Sequence, residues 1–86
     1  MDDETLRKFA YVNISSYRNR TVKTLQNDIK TPTEISRDTG INRAHVSNVL
    51  RELKESGIAE CLNEDARKGR IYRLTETGEE IANYLR

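Results

Sequence analysis

The sequence predicts a mostly helical α+β domain. Three observations predict it: two adjacent capped helices joined at a glycine, short alternating segments on either side of a basic loop, and apolar residues at helical spacing near both ends. The paired helices carry the most explicit signal. They lie in TPTEISRDTGINRAHVSNVLRELKESGI, Thr31 to Ile58.

The first of the pair has Thr31 at N-cap, Pro32 at N1 and Glu34 at N3, so a fixed proline φ and a reciprocal capping box act at one helix start. Gly40 supplies the positive φ that ends this helix after Thr39. Asn42 caps the second helix. Ile41 at N′ and Val46 at N4 have the spacing of a hydrophobic staple, which sets the angle between the two helices. Val46, Val49, Leu50 and Leu53 then form one apolar stripe, while Ala44, Asn48 and Arg51 point the other way, flanked by His45 and Ser47. A purely solvated face is more commonly packed with Lys and Glu. This one is short-chained and hydrogen-bonding, which suits a helix lying within a groove of duplex DNA. There Asn48 can pair with adenine, and Arg51 can reach guanine or a phosphate.

After Gly57 the pattern becomes hairpin-like. Ile58 to Leu62 is one candidate strand and Arg70 to Leu74 the other, with Tyr72 and Leu74 on one face and Ile71 and Arg73 on the opposite one. The connection NEDARKG is too long for a two-residue turn and fits an exposed loop placed to touch a phosphate backbone. Its own acids, Glu64 and Asp65, place Arg67, Lys68 and Arg70 ahead of the rest of the loop as contact residues.

Upstream, Tyr17 to Gln26 reads as a helix with Ser15 or Ser16 as N-cap and Tyr17, Val22 and Leu25 available to a core, which Ile29 joins from the following loop. Before it, Leu6, Phe9, Ala10 and Asn13 follow helical spacing, favouring a short helix over Thr5 to Asn13. At the other end Thr75 caps a terminal helix containing Ile81, Ala82 and Leu85, with Gly78 tolerated near its first turn and Tyr84 outside the core. The expected organisation is therefore one domain, 1–86, with the helix pair at 31–57, the hairpin at 58–74 and the last helix at 75–85.

At 86 residues, 35% hydrophobic and 34% charged, the chain can enclose only a modest core. A second copy packed on the terminal helices would complete it, so a homodimer is expected. No apolar run is long enough to span a bilayer, and the acidic start MDDE lacks the basic and apolar regions of a secretory signal, so the protein is expected in the cytoplasm. Single residues of Cys and His, Cys61 and His45, leave neither an internal disulfide nor a metal-ligand cluster, and no cofactor is indicated. His45 has no nucleophile or carboxylate at a catalytic spacing, which argues against an enzyme. Cys61 reads as a quiet, partly buried residue. The pattern of aromatics that stacks splayed RNA bases is missing.

Net charge is only +1, so its distribution matters. Residues 16–30 hold Arg18, Arg20, Lys23 and Lys30 against Asp28 alone, and residues 67–73 hold Arg67, Lys68, Arg70 and Arg73 without an acid. Acids gather instead at Asp2, Asp3 and Glu4 and at Glu76, Glu79 and Glu80. Bringing the basic segments beside the second helix of the pair would give a positive face and a negative back, an arrangement that orients a duplex.

With these features in order, the chain resembles a winged helix-turn-helix transcription regulator, most like the small archaeal and bacterial regulators related to the MarR and ArsR families. TPTEISRDTGINRAHVSNVLRELKESGIAE, RKGRIYRLTETGEEIA and the SSYRNRTVKTL helix carry the resemblance over nearly all of residues 15–85. It implies that Asn42 to Arg51 form a recognition helix, with Asn42, Arg43, Ala44, His45, Ser47, Asn48 and Arg51 at the DNA. It further implies that Asn63 to Gly69 form the wing, with Arg67, Lys68 and Arg70 on the backbone. Arg18, Arg20 and Thr33 are candidate additional phosphate contacts. The implied activity is sequence-specific binding of double-stranded DNA without catalytic turnover. The alternative is a winged-helix protein-interaction or architectural module of transcription machinery.

Overall fold

Side-chain oxygens start every helix in the computed structural model, which describes all 86 residues. Asp2, Ser15, Thr31, Asn42 and Thr75 each accept the backbone N–H three residues on. The helices they open are α1 (Asp3–Asn13), α2 (Ser16–Leu25), α3 (Pro32–Thr39), α4 (Arg43–Glu55) and α5 (Glu76–Tyr84). Between α4 and α5 lie β1 (Ala59–Cys61) and β2 (Tyr72–Leu74), paired antiparallel with Ala59 opposite Leu74 and Cys61 opposite Tyr72. The expected mostly helical α+β architecture is present.

The α3–α4 corner forms as the sequence dictates. Both halves of the Thr31/Glu34 capping box are made, Gly40 has φ 76°, and Ile41 and Val46 are buried together. Ser36 Oγ donates to the Ile41 carbonyl and Thr39 Oγ1 accepts the Ile41 N–H, so side chains satisfy the turn's backbone groups. The apolar stripe of α4 meets Val22, Leu25, Ile35 and Ile58 in the core.

Three expectations about the core need correcting. In α1 the inward stripe is Thr5, Phe9 and Val12, whereas the spacing of Leu6, Phe9, Ala10 and Asn13 placed it about one residue, roughly 100°, further round the helix. Leu6 is 54% exposed, and the helix starts at Asp3 because Asp2 caps it. The N–H donated by Thr5 holds the Asp2 carboxyl below its ordinary value. Tyr17 lies at the surface against His45, and Ile29 is half exposed. Asn27 turns the chain with φ 57°, its N–H held by the Glu79 carboxylate, and the segment after it continues as a strand-like edge. There Lys30 exchanges both backbone hydrogen bonds with Tyr72, at 3.0 and 2.9 Å. This third edge joins the α2–α3 connection to the hairpin.

The strands are shorter than expected at their outer ends. Ile58 is claimed by the α4 terminus, its N–H donating to the Leu53 carbonyl at 2.8 Å; at the wing end Leu62, Arg70 and Ile71 lie outside the strands, although the Leu62 N–H still donates to the Ile71 carbonyl at 2.9 Å. Beneath the hairpin, α5 seats on Gly78. A Cβ placed there would sit 2.1 Å from the Ile58 carbonyl oxygen, so this glycine is required by the close approach of α5 to the α4–β1 junction.

Candidate nucleic-acid interface

The outer side of α4 divides into two stripes. Arg43, Ser47, Arg51 and Lys54 recur at three- and four-residue intervals and face the wing, whereas Ala44, His45 and Asn48 lie on the adjacent exposed stripe. The wing-facing stripe forms one wall of an open groove of about 680 Å³. The start of α3, at Thr31 to Thr33, closes one side, and Arg67 to Arg70 form the far wall. Six cations line this groove, Arg43, Arg51, Lys54, Arg67, Lys68 and Arg70, and carboxylates reach only two of them, Glu55 at Arg51 and Glu64 at Lys54.

The wing is held in shape by its own side chains. Asn63 donates from Nδ2 to the Gly69 carbonyl at 3.1 Å and accepts the Ile71 N–H at Oδ1 at 2.8 Å, closing the loop at its base. Gly69 has φ 68°, in the left-handed region that favours glycine. Arg70 donates from Nε to the Ala66 carbonyl and from Nη2 to the Glu64 carbonyl, both at 2.9 Å. Arg70 therefore supports the loop that carries Arg67 and Lys68 and still adds its charge to the wall. Neither Arg67 nor Lys68 forms an ion pair, and both are exposed.

Across the groove floor, Lys54 is paired with Glu64 of the wing. The hydrogen bond between them holds the Glu64 carboxyl below and the Lys54 ammonium above their ordinary values. Arg51 has Glu55 one turn on at 3.9 Å and keeps a side chain that is 66% exposed.

Among the sequence-derived contact residues, Thr33, Arg43, Ser47 and Arg51 are thus brought together with Arg67, Lys68 and Arg70. Asn42 spends its side chain on the cap, accepting from the His45 N–H. His45 packs against Tyr17 in a tilted pair, ring centroids 5.2 Å apart and planes 59° to each other, and Arg20 lies 5.3 Å from the Tyr17 ring centroid while donating to the Thr39 carbonyl at the end of α3. Asn48 and Ala44 remain open to solvent. Arg18 has a different task from the phosphate contact anticipated for it. Its guanidinium packs 3.7 Å from the Tyr11 ring, donates to the Tyr11 carbonyl and lies 3.4 Å from Glu52, tying α1 and α2 to α4.

Lys54 and Asn63 were missed as contributors. Lys54 sits three residues beyond Arg51 on the same stripe, a signal that was legible once the stripe, rather than the whole exposed face, is followed. Asn63 opens the wing, where Asn commonly organises turns through its side chain. Cys61 is partly buried, with Sγ 3.6 Å from Asn63 Oδ1.

No family model and no curated protein matches this sequence. Solved structures do match the fold. The transcriptional repressor BigR from Xylella fastidiosa superimposes with a TM-score of 0.75 at 28% identity, covering 93% of this chain and 78% of that one. The fold is a winged helix-turn-helix. NadR in complex with 4-hydroxyphenylacetate matches with a TM-score of 0.72 at 20% identity over 94% of this chain and 62% of its own. A mutant of Lactococcus lactis ZitR matches at 0.71 and 21% identity, over 80% of this chain. The winged-helix chain described here spans about half of that ZitR chain, 48% of its length. Its helix-turn-helix is α3–α4 and its wing is the loop between β1 and β2. No helix is long and apolar enough to cross a membrane.

Proposed function

We propose that this winged-helix protein is a sequence-specific double-stranded DNA-binding transcription regulator. In this reading α4 enters the major groove, the wing follows the neighbouring backbone, and no reaction is catalysed. The observation that carries the reading is the groove between α4 and the wing, lined by six cations of which four, Arg43, Arg67, Lys68 and Arg70, have no carboxylate partner. A DNA backbone is a continuous line of negative charge, and a cationic channel beside a helix that fits the major groove matches it in sign and shape. Arg43, Arg51, Arg67 and Lys68 bind phosphate, with Arg51 also within reach of a guanine edge. Ala44, His45 and Asn48 face the base edges, where Asn48 supplies the donor–acceptor pair that adenine requires. The likeness to BigR, described as a transcriptional repressor, supports the class of function.

A homodimer on an inverted repeat completes the proposal. Met1, Leu6 and Phe9 of the N-terminal region and Tyr84 of α5 line an apolar hollow on the surface, where a second copy would cover them. The same patch favours one other reading, a protein-interaction module whose partner is a component of transcription machinery.

Selection of bound sequences from a random duplex pool at stated salt separates the two. Enrichment of an inverted repeat with half-sites about 10 base pairs apart, or a multiple of that spacing, is the expected outcome. Equal weak binding to every duplex would favour the protein-interaction reading.

A further inference from the structure

The groove contains one cation whose anionic partner comes from the opposite wall, whereas Arg51 has only Glu55 of its own helix. Lys54, on the last turn of α4, reaches across to Glu64 at the start of the wing, while Arg43, Arg67 and Lys68 around it carry no ion pair. Glu64 is held there by the loop. Arg70 binds the Glu64 carbonyl with Nη2 and the Ala66 carbonyl with Nε, so the backbone on which the carboxylate is mounted is braced. Both partners nevertheless remain substantially exposed, with side chains 45% and 53% accessible, and either can rotate into solvent.

We propose that Glu64 is an intramolecular stand-in for a DNA phosphate: its carboxylate occupies Lys54 in the free protein, and the duplex backbone displaces it on binding. This rests on the DNA-binding reading above. A carboxylate and a phosphate present Lys with the same thing, paired anionic oxygens at hydrogen-bonding distance, and a backbone running between α4 and the wing passes the Lys54 ammonium. The lowered Glu64 and raised Lys54 proton affinities are consistent with both groups being charged and paired before DNA arrives. The exchange has two consequences. It opposes binding to any duplex, because one ion pair is broken and one carboxylate is left near phosphates. It also acts equally on specific and scrambled sites, because the displaced contact reads no base.

The test measures duplex affinity as a function of salt for the wild type and for Glu64→Gln, Lys54→Ala and the double variant, with thermal unfolding recorded for each. Glu64→Gln keeps the loop's shape and removes the charge. It should bind specific and scrambled duplexes about two- to fivefold more tightly, the worth of one exposed ion pair, with a steeper salt slope by up to about one unit. Lys54→Ala should weaken binding more in the Glu64→Gln background than alone, because only there is Lys54 unopposed. Weaker or unchanged binding by a folded Glu64→Gln variant, or equal effects of Lys54→Ala in both backgrounds, would overturn the exchange while leaving the DNA-binding reading intact. A wild type that binds no duplex at any salt would overturn both.

Discussion

Arg18 belongs to a basic stretch of sequence, yet its guanidinium faces Tyr11 and Glu52 inside the α1–α2–α4 junction. Composition cannot separate such an arginine from a phosphate contact, because what distinguishes them is the direction of one helix face. Replacing Arg18 with Ala removes a charge-assisted hydrogen bond and a cation–π contact, and should cost about 1–3 kcal/mol of stability in urea unfolding. The salt slope of duplex binding should not change. Unchanged stability with a shallower slope would return Arg18 to the DNA surface. Gly78 is the second residue whose role spacing alone conceals. Read along α5 it is a tolerated weak helix former, but the Ile58 carbonyl lies where its Cβ would be. Gly78→Ala gains about 1 kcal/mol of helix propensity and should still destabilise by about 1–3 kcal/mol net, measured by chemical denaturation. A more stable variant would mean that α5 does not seat against that carbonyl.

At the scale of elements, local chemistry made α3 and α4 the most legible part of the chain. Thr31, Pro32, Glu34, Gly40, Ile41 and Asn42 each act within a few residues of their partners, and all take the roles their types imply. The hairpin was legible in its pairing but not in its extent, since Ile58 is captured by Leu53 and Arg70 by the wing. The Lys30–Tyr72 edge leaves no alternating pattern to read, being a single residue pair joined across 42 positions of sequence by backbone groups alone. Tyr17 and Ile29 looked like core residues because they are large and apolar, and the bend at Asn27 and the pairing with His45 decide otherwise. Within α4, the two stripes lead to different expectations. Asn48→Ala should relax selectivity at one base position, costing about 1–3 kcal/mol on the preferred site and little on scrambled DNA. Arg51→Ala should either do the same or, if it holds only phosphate, weaken all duplexes alike with a salt slope shallower by about one unit. Retained affinity and selectivity in both folded variants would refute the assignment of this face. Competition binding against duplexes altered one position at a time distinguishes these outcomes.

At the scale of the whole molecule, charge and apolar surface lie on different parts of the fold. The cationic groove belongs to α3, α4 and the wing, whereas the apolar hollow of Met1, Leu6, Phe9 and Tyr84 belongs to the N-terminus, α1 and α5. In the proposed homodimer a second copy covers the apolar hollow, and none of the residues lining the groove belongs to that hollow. Net charge of +1 concealed this division, because most acids lie away from the groove, where only Glu55 and Glu64 meet its six cations. The central claim is that a DNA backbone lies between α4 and the wing. Its most direct test is the dependence of duplex affinity on salt for the wild type and for Arg67→Ala/Lys68→Ala, two exposed wing residues whose loss leaves the loop's own hydrogen bonds in place. The wild type should bind with log affinity falling linearly against log salt. The folded double variant should bind specific and scrambled duplexes more weakly, with a slope shallower by up to about two units. Unchanged affinity and unchanged slope in that variant would contradict the claim.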